Sequence, residues 1–269
     1  MPDPSFVLPL LLQSVLAPAA VCAALLLLLA RVRSDWSAPL AIAGGFLASM
    51  AATYHAQWSF PPHQALDWMP LVALAALSAI AVERRGMLAG RLLMSVVTAA
   101  IVAWPAMGSA GLARTLATIT GMALLMTLAW TVLAASSRRP AAPLALTLTA
   151  GGAGLALMID ASQLIGQLCG GLGVAIATCA LLRLRGGFGG AAVGTSVLLL
   201  GAMLGYARIY AGFDVTMMAL LLAALLAEPV LTALRRRPAP LLPAALLIVT
   251  PVLAAIGLAV RAMQASGGY

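Results

Sequence analysis

The sequence predicts an all-α, polytopic integral membrane protein with about ten transmembrane helices. Its mean hydropathy is +1.07, and 63% of its 269 residues are hydrophobic whereas only 8% are charged. Soluble domains are close to one-half apolar, so this composition excludes a soluble protein. Ten spans of roughly 20 residues would use about 200 positions. Residues 1–269 are therefore expected to form a single transmembrane domain with short loops.

Proline, glycine and charged residues delimit the apolar runs. Pro18 in the first run and Pro251 in the last are each expected to kink a helix within the membrane, because proline removes a backbone N–H. The polar break at 160–163 divides a run that is too long for one helix. The predicted spans are 6–30, 38–54, 68–82, 88–104, 112–135, 143–160, 164–182, 191–207, 215–231 and 241–260.

Two helix starts carry capping signals. Ser37 is expected to cap the second helix, with Pro39 in its first turn, where a missing N–H costs nothing. Asp67 is expected to be the N-cap of the third helix, with Pro70 tolerated in the first turn. Both signals place the start of a helix directly after a polar loop.

All fifteen basic residues are arginines, and the loops divide them unequally between the two ends of the helices. One end has only Arg114, Arg208 and Arg261. The other end has Arg31, Arg33, Arg84, Arg85, Arg91, Arg138, Arg139, Arg183, Arg185, Arg235, Arg236 and Arg237. Short loops rich in arginine stay on the cytoplasmic side. We therefore expect a multi-pass protein of a bacterial inner (plasma) membrane, with both termini outside.

The net charge of +8 does not indicate a nucleic-acid partner, because the basic residues form small clusters between apolar runs. Cys22, Cys169 and Cys179 lie inside predicted spans without the spacing of a zinc site, so they are expected to be buried thiols. The bilayer is the one partner that the composition requires, and neither a metal nor a cofactor is expected.

The polar segment 54–68 contains both histidines, His55 and His63, together with Asp67. Its tyrosine and tryptophans are typical of the aromatic belt at a membrane surface, which is the favoured interpretation. A metal or proton site is the weaker alternative, since His63 and Asp67 would share a face if this segment were helical. These three residues form part of a tentative outer-face polar site.

A second polar cluster on the same outer side comprises Tyr206, Arg208, Tyr210 and Asp214. Arg208 and Asp214 are expected to pair, and the cluster could form one wall of an external vestibule with segment 54–68 as the other. Asp160 completes the tentative site. It is interpreted as an interfacial cap, with a cation- or proton-binding cavity as the alternative.

Two acids lie beside arginines at the opposite, arginine-rich side. Glu83 immediately precedes Arg84 and Arg85. Glu228 lies seven residues before Arg235, two helical turns away on nearly the same face, so Arg235 is its expected partner.

Glycines at four-residue spacing predict close helix packing around the seventh and eighth helices. They favour a tight pair between those two helices, with homodimerisation as the alternative use. The residues concerned are Gly166, Gly170, Gly190, Gly194, Gly201 and Gly205.

Enzyme motifs are missing from the sequence: it contains no HExxH, P-loop or GxGxxG, and 108–111 is not a nucleophile elbow. No enzymatic activity is expected. Ten helices with both ends on one side can divide into a 5+5 inverted repeat, which is typical of secondary transporters. The leading hypothesis is a transporter- or permease-like protein for an unknown small solute. The alternative is a non-catalytic membrane subunit or scaffold that packs with partner membrane proteins.

Overall fold

A computed structural model describes residues 4–29, 36–54, 56–137, 139–183, 187–235 and 240–265. It is 88% helical, with no strand among those residues, and ten helices are long and apolar enough to cross a membrane. This confirms the predicted all-α class and the predicted number of candidate spans. We name these helices α1 to α10: Leu8–Leu29, Ser37–Tyr54, Ala65–Arg85, Leu88–Ala106, Leu112–Ala135, Ala141–Asp160, Gln163–Leu182, Gly190–Tyr210, Val215–Thr232 and Leu241–Ala265. Helical structure begins four residues before α1, at Pro4, and continues beyond α9 to Arg235.

The irregularity of α1 is a π-helical turn at Leu12–Leu16, which ends two residues before Pro18. In such a turn each N–H donates five residues back. Pro18 has no N–H, so the carbonyl of Gln13 loses its helical donor. The hydroxyl of Ser49 in α2 donates to that carbonyl at 3.0 Å instead. The proline thus creates a hydrogen-bonded link between the first two helices.

The start of α3 differs from the prediction. The helix begins with a 3-10 turn at Ala65–Trp68, and Gln64 is its N-cap. Asp67 lies at the third position of that turn, and its carboxylate accepts from the backbone N–H of Gln64, 2.8 Å away. Asp67 therefore caps the helix from inside the first turn, because a carboxylate at this position can reach back to the N-cap.

The helix α8 lies at the centre of the molecule. In its most apolar stretch 89% of residues are buried, compared with 17% for α1. Neighbouring helices pack as the pairs α1 with α2, α4 with α5, α6 with α7 and α9 with α10. The pairs α2 with α7 and α3 with α8 join the first five helices to the last five.

The glycines of α8 accommodate large side chains of α5. The facing pairs are Gly194 with Trp130, Gly201 with Met126, and Gly205 with Met122. These α5 side chains recur every four residues, so they project from one face of that helix. Gly190 faces Glu83 of α3 in the same way. The α8 glycines thus make room for α3 and α5 rather than for a tight pair with α7.

The close backbone approach predicted for small residues occurs between α6 and α7. A Cβ on Gly154 of α6 would lie 2.9 Å from the carbonyl oxygen of Gly166 and 2.9 Å from the amide nitrogen of Gly170. Any side chain at Gly154 would therefore separate the two helices. Gly166 serves close packing, as the sequence indicates, but its partner is α6 instead of α8. A Cβ on Gly170 would have no heavy atom within 4 Å, so the packing does not require glycine at that position.

Contacts between helix ends agree with the predicted division of the loops into two groups. At the end that carries twelve of the fifteen arginines, named here the arginine-rich end, the guanidinium of Arg84 lies 5.1 Å from the ring centre of Trp36. At the other end, named here the loop end, the hydroxyl of Tyr210 in α8 donates to the carbonyl of Val102 in α4 at 3.0 Å. The cytoplasmic location of the arginine-rich end stays a prediction from the arginine distribution.

Candidate functional site

Asp67 at the loop end is a buried carboxylate with a full set of donors. Its side chain, 2% exposed, accepts from the hydroxyls of Tyr54 and Ser59, each at 2.9 Å. The backbone N–H groups of His63 and Gln64 donate to the same carboxylate at 2.9 and 2.8 Å. Hydrogen bonds to a charged acceptor are the stronger ones in proteins. Asp67 therefore holds segment 54–68 in place.

The segment is also fastened to the central helix. The hydroxyl of Tyr206 in α8 donates to the carbonyl of Ala65, and the indole N–H of Trp58 donates to the carbonyl of Asp67 at 3.3 Å. The two polar clusters at the loop end thus touch here. His63 contacts Asp67 through its backbone N–H rather than its imidazole. His55 lies outside the described residues.

Arg208 and Asp214 make separate local contacts. A guanidinium N–H of Arg208 donates to the carbonyl of Phe213 at 3.0 Å. Asp214 caps α9 by accepting from the amides of Thr216 and Met217 at 2.7 and 3.3 Å. The hydrogen bond from Thr216 lowers the pKa of Asp214 below its usual value, and the charge of Arg208 adds to that shift. The two side chains are electrostatic neighbours without a direct bridge.

Asp160 is the last residue of α6, and α7 begins at Gln163, which places the turn at the predicted break. Ser162 caps α7 by accepting from the amide of Ile165 at 3.4 Å. Asp160 and Asp214 are close enough to repel each other electrostatically. Of the tentative outer-face residues, the structure therefore brings Arg208 near Asp214 and His63 to Asp67, and it places Asp160 at the turn between α6 and α7.

Glu228 of α9 is a buried carboxylate at the arginine-rich end with an incomplete set of partners. The residue is 1% exposed, and its Oε1 lies 3.7 Å from the guanidinium of Arg139. The hydroxyl of Thr232 donates to the same oxygen at 2.9 Å. Oε2 is buried and has no hydrogen-bond partner among the described residues. Arg235, the partner expected from the sequence, has its side chain outside the described part.

A second ion pair lies at the same end. The guanidinium Nε of Arg91 in α4 lies 2.8 Å from Oε1 of Glu83 in α3. The same guanidinium lies 5.9 Å from the ring centre of Trp130 in α5, within cation–π distance. Glu83 thus pairs with Arg91 rather than with Arg84 or Arg85, the adjacent arginines that the sequence suggests, and the pair ties α3, α4 and α5 together.

Buried polar groups extend from this ion pair into the bundle. Ser95 and Thr98 follow Arg91 on one face of α4, at intervals of four and three residues, and both are fully buried. Their hydroxyls, like the indole N–H of Trp130 and the hydroxyl of Thr131, have no hydrogen-bond partner in the described ranges. Buried polar groups in proteins are normally bonded, so each such group needs an explanation.

Most threonines of α5 behave differently. The hydroxyls of Thr115, Thr118 and Thr127 donate to backbone carbonyls four residues back, at 3.0, 2.9 and 2.7 Å. This is the structural role favoured by the sequence for these three residues. They therefore have no free donor to offer a solute.

A small cavity of about 50 Å³ lies between α5, α6, α8 and α9. Its wall is apolar and includes Met122, Met126 and Met218, with Thr149 as its polar member. The hydroxyl of Thr149 is buried without a partner in the described chain. The cavity has room for a water-sized molecule rather than for an organic solute.

No protein-family model, curated protein or solved structure matches this chain. Its function is therefore inferred from side-chain chemistry and helix arrangement.

Proposed function

We propose that this chain is a transporter- or permease-like protein of the bacterial inner membrane for a small solute, with Glu228 as its ion-coupling residue. The observation that carries the proposal is a carboxylate, 1% exposed, in the apolar helix α9. Charged residues inside spanning segments are costly, and in membrane proteins they commonly belong to ion or proton pathways.

The contacts of Glu228 support a carboxylate that can bind and release an ion, rather than one that is fixed as part of the structure. Its distance of 3.7 Å to Arg139 is long for a charge-assisted hydrogen bond. Arg139 is 41% exposed at its side chain, so water weakens the attraction between the two charges. One oxygen accepts from Thr232, and the other has no partner among the described residues and can accept from an incoming donor.

The helix arrangement supports two five-helix halves of opposite orientation. The pairs α1 with α2 and α4 with α5 in the first half correspond to α6 with α7 and α9 with α10 in the second. The corresponding helices α2 and α7 pack together, as do α3 and α8. Inverted repeats of this kind are the plan of many secondary transporters, with sites at the interface of the halves.

The halves differ in one respect. Within the second half α6 packs against α9 and α10, whereas α1 packs against α7 of the other half. Two halves with the same number of helices and different packing are consistent with the alternating access of an inverted repeat.

The scaffold alternative draws its support from small-residue faces available to a partner. Gly194, Gly201 and Gly205 are already occupied by side chains of the same chain. This leaves the scaffold hypothesis with less sequence support than the transport hypothesis.

The test uses purified protein in liposomes that contain a pH-sensitive dye. A panel of labelled amino acids, organic acids, amines and sugars is added in turn, and solute uptake and proton movement are recorded. Wild type should move at least one solute with an accompanying pH change, and Glu228→Gln should abolish the pH change. Folded wild-type protein that moves no member of the panel, and that is recovered from native membranes in a stoichiometric complex, would support the scaffold instead.

A further inference from the structure

A cavity of about 600 Å³ opens at the arginine-rich end between α6, α7 and the start of α10. We infer that it binds one anionic phospholipid, with the headgroup at Arg139 and Arg183 and the acyl chains along α6 and α7. The inference does not depend on the proposed transport function.

The two arginines lie where a headgroup would lie. Arg139 comes two residues before α6, and Arg183 directly follows the last residue of α7. Both line the cavity. Arg183 takes part in neither of the ion pairs in the described ranges, and Arg139 has donors beyond the one that faces Glu228. Two guanidinium groups at one rim favour an anion over a neutral headgroup.

Apart from Thr147, the rest of the wall is apolar, and it runs along the two helices away from the arginines. Along α6 it extends from Pro140 to Thr147, and along α7 from Arg183 back to Ala177. At 1.5 Å per residue, each wall reaches about 10 Å from the arginines. A ligand that fills this space therefore needs a charged end and an apolar body, which is the chemistry of a phospholipid.

The cavity faces the bilayer. Leu181 and Leu241 belong to its wall and are 66% and 53% exposed. Large apolar side chains exposed on a spanning helix contact lipid, so a lipid can enter from the side without crossing water. Basic pockets between spanning helices at the cytoplasmic side are typical sites for anionic headgroups.

The test is native mass spectrometry of the full chain in detergent, titrated with phosphatidylglycerol or with phosphatidylcholine of the same acyl chains. Wild type should bind one phosphatidylglycerol in preference to phosphatidylcholine. Arg183→Gln should weaken phosphatidylglycerol binding about fivefold, as expected for one arginine near an anionic surface. Arg85→Gln is the matched control, since Arg85 lies at the same end in a different groove, and it should leave binding unchanged.

Two further variants test separately whether binding needs the positive charge at position 183 and the free volume of the cavity. Arg183→Lys keeps the charge and should retain most of the phosphatidylglycerol binding. Ala180→Trp should fill the cavity and abolish that binding. Each variant is compared only if it elutes as a single species with an unchanged melting temperature without lipid. Equal phosphatidylglycerol affinity in Arg183→Gln and Arg85→Gln would overturn the inference. So would equally tight binding of glycerol 3-phosphate, because a soluble anion would then suffice.

Discussion

Asp67 and Glu228 are both carboxylates in helices and both at most 2% exposed, but they have different surroundings. Asp67 accepts hydrogen bonds from four donors, two of them backbone amides of its own segment. Among the described residues, Glu228 has one hydroxyl donor, one distant arginine and one unbonded oxygen. A buried carboxylate with hydrogen bonds to both of its oxygens is part of the framework. A buried charge with an open lone pair has capacity to bind, and this contrast separates the loop end from the arginine-rich end.

The largest effect is expected from Asp67→Ala. It would leave two backbone amides, the hydroxyl of Ser59 and the buried hydroxyl of Tyr54 without their acceptor, and each donor left unsatisfied costs about 1–3 kcal/mol. We expect the free energy of unfolding to fall by about 3 kcal/mol or more, measured by thermal or denaturant unfolding in detergent. Gln57→Ala, an exposed residue of the same segment, is the control and should change stability by less than about 0.5 kcal/mol. Similar losses in both variants would remove the structural role of Asp67.

The network around Asp67 shows how far sequence reasoning reaches. A polar residue near a helix start, followed by Pro70, predicts a cap, and Asp67 does cap α3 from its third position. Local spacing cannot indicate the link from Tyr206 to Ala65, because those residues are 141 positions apart. Such a contact depends on which helices become neighbours, which the hydrophobic pattern of a single span does not specify.

The packing of the α8 glycines was likewise predictable only in part from the sequence. Their four-residue spacing correctly predicts a small-residue face on α8. The face does not specify its partner, since Met126 opposite Gly201 looks like any other apolar residue of α5 in the sequence. Helix number, by contrast, depends only on run length and apolarity, and for that reason the ten spans were predictable. Arg139 was missed as the partner of Glu228 because it lies in a distant loop.

The second prediction concerns the ion pair between Arg139 and Glu228, from which the more exposed member, Arg139, is removed. Arg139→Gln leaves Glu228 buried without its counter-charge, and uncompensated buried charges typically cost 3–5 kcal/mol. The long separation and the 41% exposure of Arg139 reduce this, so we expect a loss of about 2 kcal/mol in unfolding free energy. The double variant with Glu228→Gln should recover most of it. A double variant as unstable as Arg139→Gln alone would mean that Arg139 acts through other contacts.

The third prediction tests the link between segment 54–68 and α8. Tyr206→Phe keeps the ring but leaves the carbonyl of Ala65 without its donor. The expected loss is about 1–2 kcal/mol in unfolding free energy. Tyr210→Phe provides a matched control, since Tyr210 donates to a carbonyl at 3.0 Å but is 40% exposed, so water can replace its hydroxyl. Equal losses in the two variants would show that burial does not set the strength of this link.

The smallest change in stability is expected from Glu228→Gln, although the same substitution should have the largest effect on transport. Glutamine keeps an acceptor for Thr232 and removes a charge that one weak pair offsets poorly. Arg139 loses its partner but keeps its contact with water, so no buried charge is left uncompensated. Unfolding free energy should therefore change by less than about 1 kcal/mol, with stabilisation as the expected sign. A loss as large as that of Asp67→Ala would place Glu228 in the framework and remove the contrast between the two ends.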